Sequence, residues 1–168
     1  MNQKICRVTN KSLLKLCFIG TIEHLLSQEK PASMSSIYVH NGPFHAFNGN
    51  LLQSCLVDGC AHSKGGKVNW LQVDLIHQSV INRVKIYNRM DCCSERLQNA
   101  EIHISDDEFM SINLQLCSSF FNITTTNQIE NFNCRVPMVG RYVRLTQQHD
   151  PFALSICEMQ IFGYFNLP

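Results

Sequence analysis

From Pro31 onward the chain is a succession of short runs with strand character, each closed by a turn, and no long segment of helical period separates them. Asn69–Leu75 (NWLQVDL) alternates apolar and polar residues, Val80–Tyr87 (VINRVKIY) is β-branched, and Ala100–Ile104 (AEIHI) alternates again. Ile129–Val136, Arg141–Thr146 (RYVRLT) and Ile156–Tyr164 (ICEMQIFGY) follow. Parallel strands need crossover helices that this pattern lacks, so it predicts an all-β antiparallel sandwich. The 168 residues make about one domain. With 45% hydrophobic and only 16% charged residues, a disordered chain is excluded.

Residues 1–27 read differently. Leu13, Leu14, Leu16, Ile22, Leu25 and Leu26 fall at loosely helical spacing. Lys4, Arg7, Lys11 and Lys15 precede the apolar stretch Leu16–Ile22 as the basic region of a signal peptide would, although no small-residue cleavage motif clearly follows. The expected division is an N-terminal extension at 1–27, a leader or a short helix, and a β domain at 28–168. Leu16–Ile22 is far shorter than the ~18 residues that span a bilayer, so a transmembrane protein is not expected. A net charge of +1 with no stripe of Lys or Arg argues against nucleic acid as a partner.

Nine cysteines are many for a reducing compartment, and an odd number leaves one free or joined to another chain. The adjacent pair Cys92-Cys93 lies in the run Arg89-Met90-Asp91-Cys92-Cys93-Ser94-Glu95-Arg96. Neighbouring Cα atoms sit ~3.8 Å apart where disulfides prefer ~4.4–6.8 Å, so a bridge here would force a tight, kinked turn. Arg89 and Arg96 flank it, each a fork of donors with no acceptor, which suits a ligand rich in lone pairs such as a sugar. Asp91 and Glu95 are placed to orient those guanidinium groups. The alternative is that both arginines are surface ion-pair partners and the two cysteines bond elsewhere.

Cys55, Cys60 and His62 supply only half a zinc pattern, and a Cys/His nucleophile would lack an acid and an oxyanion loop, so catalysis is not expected. His24, His40, His45, His77, His103 and His149 show no partner pattern, and Gly65-Gly66-Lys67 reads as a turn rather than a phosphate loop. The stretch from Gly42 to Gly66, rich in Asn, Gly, Ser, Cys and His, has little strand character, and a loop that long is usually functional or organised by a metal.

Lys30–Ser36, Ala46–Asn50, Cys60–His62, Trp70–Leu75, the run from Arg89 to Arg96, Gly140–Val143 and Cys157-Glu158 occur in the order found in fucolectins. Over about residues 28–165 the chain resembles these F-type lectins, whose fold is that of discoidin and coagulation-factor type C domains. The resemblance implies a jelly-roll β-sandwich that binds terminal L-fucose without catalysis, for innate recognition or agglutination. It implies that His62, Arg89 and Arg96 hydrogen-bond the sugar, that Cys92 and Cys93 pair and pack against its apolar edge, and that Tyr38 or Phe44 walls its methyl group. It further implies disulfides Cys60–Cys157 and Cys117–Cys134, leaving Cys6, Cys17 and Cys55 over.

A secreted, extracellular protein follows from those bridges, with sequons at Asn122-Ile123-Thr124 and Asn10-Lys11-Ser12. Fucosylated glycans are the implied partners, and a homotrimer is plausible by resemblance. The family's structural Ca²⁺ site maps onto His45, Asn48, Asn50, Gly59, Cys157 and Glu158. Asn48 stands where the family has Asp and Gly59 forfeits a side-chain oxygen, so a weak calcium site is expected. The rival reading is a discoidin-like adhesion domain that binds protein or lipid without sugar specificity.

Overall fold

The computed structural model describes residues 4–7, 16–19, 22–56, 59–122, 129–148 and 152–165. Its strands are β1 (Lys4–Arg7), β2 (Leu16–Ile19), β3 (His24–Leu25), β4 (Ala32–Met34), β5 (Ala61–His62), β6 (Asn69–Asn88), β7 (Gln98–Ser105), β8 (Gln115–Asn122), β9 (Ile129–Gln147) and β10 (Ser155–Phe165). Helix among the described residues is confined to single turns at Pro43–Ala46 and Ser94–Arg96. None is long and apolar enough to cross a membrane.

All strand pairs are antiparallel. The two long strands each serve both layers. Asn69–Asp74 of β6 pairs with β4 and with Tyr142–Gln147 of β9, which in turn pairs with β7 and so leads to β8. Ser79–Tyr87 of β6 pairs with Ile129–Gly140 of β9 on one side and with β10 on the other, and β10 carries β3 and β5. The core between the layers is aliphatic: Leu71, Val73, Ile81, Val84, Ile102, Ile104, Leu145, Ile156 and Ile161 are all fully buried. These are the alternating apolar positions of the strand-like runs, so one face of each strand meets the core.

Three boundaries differ from expectation. Asn69–Leu75 and Val80–Tyr87 are one strand, not two, and so are Ile129–Val136 and Arg141–Thr146. The polar interruption between the β6 halves is an irregularity rather than a turn: Asp74 Oδ1 accepts the Ile76 N–H at 2.7 Å, Ile76 has φ 73°, and the register shifts between Asp74 and Ser79. A bulge and a turn leave the same polar break in a sequence, and only the partner strand distinguishes them.

In the N-terminal segment, β1 and β2 form a two-stranded antiparallel ribbon with Cys6 opposite Cys17, which replaces the helical alternative where the chain is described. Ile5, Phe18 and Ile19 favour strand, and a leucine pattern this short cannot sustain a helix alone. The main sheet also begins ahead of the boundary at 28, because β3 pairs with β10 and Leu26 is buried. The sequon residues Asn10, Lys11, Ser12, Ile123 and Thr124, together with His149, lie outside the described residues.

The disulfides Cys60–Cys157, Cys92–Cys93 and Cys117–Cys134 are all present. Cys117–Cys134 joins β8 to β9, and Cys60–Cys157 pins the segment before β5 onto β10.

At Gly163 of β10 a Cβ would lie 1.9 Å from the Val80 carbonyl oxygen, a backbone atom that cannot rotate away. Overpacking of this kind costs about 3 kcal/mol at the upper end of its range. We therefore expect Gly163→Ala to lower Tm by roughly 6–12 °C for a domain of this size. An unchanged thermal melt would contradict the close approach of β10 to β6.

Candidate functional site

The loops at one end of the sandwich converge because β5, only two residues long, is fastened to β10. Ser155 pairs with His62 and Ile156 with Ala61. Along this extended segment the chain alternates, with Ala61 and Ser63 buried and His62 and Lys64 turned outward. The buried Ser63 hydroxyl donates to Asn69 Oδ1 at 2.8 Å and accepts the Leu154 N–H at 2.9 Å. Asn69 Nδ2 then donates to the carbonyls of Gly66 at 3.0 Å and Phe152 at 3.1 Å. Two side chains thus tie the β5–β6 loop to the approach to β10.

His62 Nδ1 lies 2.7 Å from the Ser63 carbonyl oxygen. A carbonyl only accepts, so Nδ1 carries the proton and the neutral ring presents Nε2 as an acceptor. Burial, and then the nearby charges of Arg89 and Arg96, hold the imidazole below its ordinary value against the opposing pull of the Ser63 bond. Tyr38 stacks obliquely on this ring, centroids 5.1 Å apart, and its N–H donates to the His62 carbonyl at 2.8 Å.

Arg89 follows the end of β6 and is buried. Its Nε and Nη2 donate to Asp91 Oδ1 at 3.0 Å and Oδ2 at 2.7 Å, a bidentate fork that holds the Asp91 carboxyl below its ordinary value. Asn88 Nδ2 donates to the Ser94 carbonyl at 2.8 Å, closing the loop that carries the paired cysteines. Cys93, at φ 62° and ψ 24°, turns the chain into the single helical turn that ends at Arg96. The Arg96 carbonyl accepts Gln147 Nε2, while Arg96 Nε is buried with no hydrogen-bond partner.

An open cleft of about 320 Å³ lies here, lined by Tyr38, His62, Lys64, Arg96, Phe152 and Ala153. Of the expected site residues it brings His62 and Arg96 together directly. Arg89 and the Cys92–Cys93 pair stand outside the lining, with the Arg89 charge reaching the His62 ring. Of the two expected wall residues Tyr38 takes part and Phe44 does not; Phe44 sits edge-on to His45 instead. Lys64, Phe152 and Ala153 were missed, since only the pairing of β5 with β10 brings them to one place.

Cys55 is a free thiol whose sulfur lies within 4.8 Å of those of Cys60 and Cys157. Two of these three sulfurs are consumed by a disulfide, so neither a zinc site nor a Cys60/His62 nucleophile can form while the bridge is closed.

A second polar cluster surrounds Glu158 of β10. Its side chain is buried, with Oε2 accepting the Gly49 N–H at 3.2 Å and Oε1 lacking any partner. Burial lifts this carboxyl to about 7, against hydrogen bonds from the Gly49 and Asn48 backbone. Asn48 Oδ1 and Asn50 Oδ1 curl the loop by accepting the N–H groups of Asn50 at 2.9 Å and Leu52 at 3.0 Å. Gly59, at φ 71°, abuts His45, where a Cβ would lie 3.1 Å from Nδ1. An orphaned carboxylate oxygen beside side-chain and backbone oxygens is a donor set that fits a hard cation.

Comparison with known proteins gives the family and the fold. A family model for F5/F8 type C domains, that of the NedA-like galactose-binding domain, matches residues 45–145. Fucolectin of Anguilla anguilla is 35% identical over 118 residues, covering 70% of this chain and 73% of its own length. The chain belongs to the fucolectin family. Fucolectin-5 of Anguilla japonica is likewise 35% identical over 120 residues, 71% of this chain, and this chain spans 62% of that relative's length. In three dimensions it is similar to the striped bass (Morone saxatilis) serum fucolectin, with TM-score 0.78 at 24% identity over 86% of this chain and 50% of that one. The lectin domain of lectinolysin, solved with Lewis B antigen, gives TM-score 0.74 at 23% identity over 83% of this chain and 96% of that one.

The buried Glu158 has a measurable consequence in calcium-free buffer. Its folded value of about 7 stands above the ordinary 4.5, so the folded state holds the proton more tightly and this stability is lost as pH rises from about 4.5 to about 7. The loss is on the order of 3 kcal/mol. Chemical denaturation with a chelator present should show wild type losing stability over this window relative to Glu158→Gln. Parallel stability curves for the two proteins would contradict the assignment.

Proposed function

We propose that this fucolectin-family chain is a non-catalytic lectin that holds a terminal L-fucose in the cleft. The observation that carries the reading is a single cleft lined by both a hydrogen-bond acceptor and a cationic donor. His62 Nε2 is left as an acceptor, and Arg96, held in no ion pair among the described residues, lines the same cleft. A sugar hydroxyl is both donor and acceptor, so one hydroxyl donates to His62 while accepting from Arg96, and Arg89 beside them adds further donor character. Tyr38, Phe152 and Ala153 offer an apolar wall to a sugar that bears a methyl group in place of a hydroxyl. The Cys92–Cys93 knob acts as a rigid shoulder on the Arg89–Arg96 loop. The fucolectin name of the relatives, the Lewis B antigen bound by the lectinolysin domain and the three disulfides support the reading, as they do a secreted protein acting in glycan recognition or agglutination. A single open cleft binds weakly, so useful avidity needs several sites, for which a homotrimer is the assembly proposed.

Free L-fucose is expected to displace this chain from a fucosylated surface, with galactose and mannose displacing it poorly. Arg89→Ala and Arg96→Ala each remove charge-assisted bonds worth roughly 1.5–3 kcal/mol and weaken binding by about tenfold to a hundredfold. Fucose affinity at the wild-type level in either folded variant refutes the assignment of that arginine.

Calcium belongs to the same proposal. The cluster of His45, Asn48, Asn50, Gly59, Cys157 and Glu158 would hold it through backbone and side-chain oxygens, with Glu158 the one carboxylate among them. Few charged ligands mean an affinity near ~10⁻⁴–10⁻³ M, so Tm is expected to climb with millimolar Ca²⁺ and to ignore micromolar Ca²⁺. A response complete at micromolar Ca²⁺ contradicts a weak site, and none at about 10 mM contradicts a site at all.

A further inference from the structure

Among the described residues, those lining the cleft include two cations, Lys64 and Arg96, and no carboxylate. Among the described residues neither cation is held in an ion pair, whereas the neighbouring Arg89 is paired with Asp91. Arg96 is accounted for by the fucose reading. Lys64 is not, because a neutral monosaccharide against His62 leaves its charge unused.

Lys64 is exposed, yet its place is built. It stands two residues beyond His62 in extended chain, so both side chains leave the strand on the same side. Its N–H donates to Ser36 Oγ at 3.0 Å. The residue before it is the buried Ser63, whose hydroxyl holds Asn69 and Leu154. Through Asn69, the same anchor fixes the carbonyl of Phe152, another residue of the cleft lining. A terminal sugar joins the rest of its glycan through its anomeric carbon, so the next residue of the glycan leaves over the cleft rim. Lys64 is the exposed cation on that rim.

We propose that the cleft is a two-part site in which Lys64 receives an anionic oxygen group, a carboxylate or a sulfate ester, carried by the glycan next to the fucose. The inference rests on the fucose reading above and names the class of glycan that reading leaves open. This positive charge, unpaired among the described residues, attracts an acidic glycan at long range and pairs with it at contact.

The test compares three ligands that share one fucosylated core, one neutral, one sialylated and one sulfated, by calorimetric titration. At low salt, wild type is expected to bind at least one charged ligand up to about fivefold tighter than the neutral one, the range of an exposed ion pair. The preference should shrink at about 0.5 M salt. In Lys64→Gln the ratio of charged to neutral affinity should fall to about one, and in Lys64→Glu it should invert. Preference for the sialylated ligand identifies the carboxylate, and preference for the sulfated ligand identifies the sulfate ester. A wild-type protein that binds both charged ligands no better than the neutral one overturns the inference and leaves fucose binding standing. A ratio that survives Lys64→Glu does the same. Failure to bind the neutral ligand, free L-fucose and both charged ligands overturns the fucose reading and this inference with it.

Discussion

One buried hydroxyl holds the working end of the molecule together. Ser63 Oγ donates to Asn69 and accepts from Leu154, and Asn69 spends its amide on the carbonyls of Gly66 and Phe152. Through these bonds the loop that presents His62 and Lys64 is tied to the start of β6 and to the approach to β10. Removing such a partner in the interior strands several polar groups at once, each costing about 1–3 kcal/mol. The sandwich supplies a rigid base, and Ser63 with Asn69 sets the spacing of the groups that stand on it.

The two arginines illustrate how one residue type takes two roles from its surroundings. Arg89 is buried, and Asp91 grips it with both carboxylate oxygens, so its position is set. Arg96 comes at the end of a single helical turn, with its Nε sealed from water and unpartnered. The Arg96 side chain lines the cleft, where no ion-pair partner among the described residues neutralises it. Glu158 is the counterpart among acceptors, an orphaned carboxylate oxygen a few residues along β10.

The strands were legible because alternation at period two is a direct print of a half-buried sheet, and Ile102, Ile104, Val143 and Leu145 all lie on the buried face. Their continuity was not legible, since the break at Ile76 looks like a turn until β9 is seen running past both halves of β6. The N-terminal helical alternative failed for a related reason: leucine spacing over so short a segment is weaker evidence than the β-branched and aromatic residues that pair in β1 and β2. In the site, the Arg89–Arg96 run was conspicuous through its adjacent cysteines, and Asp91 was rightly placed beside Arg89. The disulfide pairings came from family resemblance alone, for spacing leaves many pairings open. Lys64, Phe152 and Ala153 carried no signal, because their proximity is created by the pairing of β5 with β10 across some 90 residues of chain.

The central claim is that a neutral His62, its Nδ1 proton committed to the Ser63 carbonyl, serves as the acceptor in a cleft whose other polar groups donate. The pH dependence of L-fucose affinity tests it most directly. With the imidazole held below its ordinary value, affinity should stay level from neutral pH down through the usual histidine range and then fall as the ring is protonated, with Nε2 turned from acceptor to donor. Affinity that rises as the ring protonates, or that is unchanged in a folded His62→Phe variant, would contradict the account.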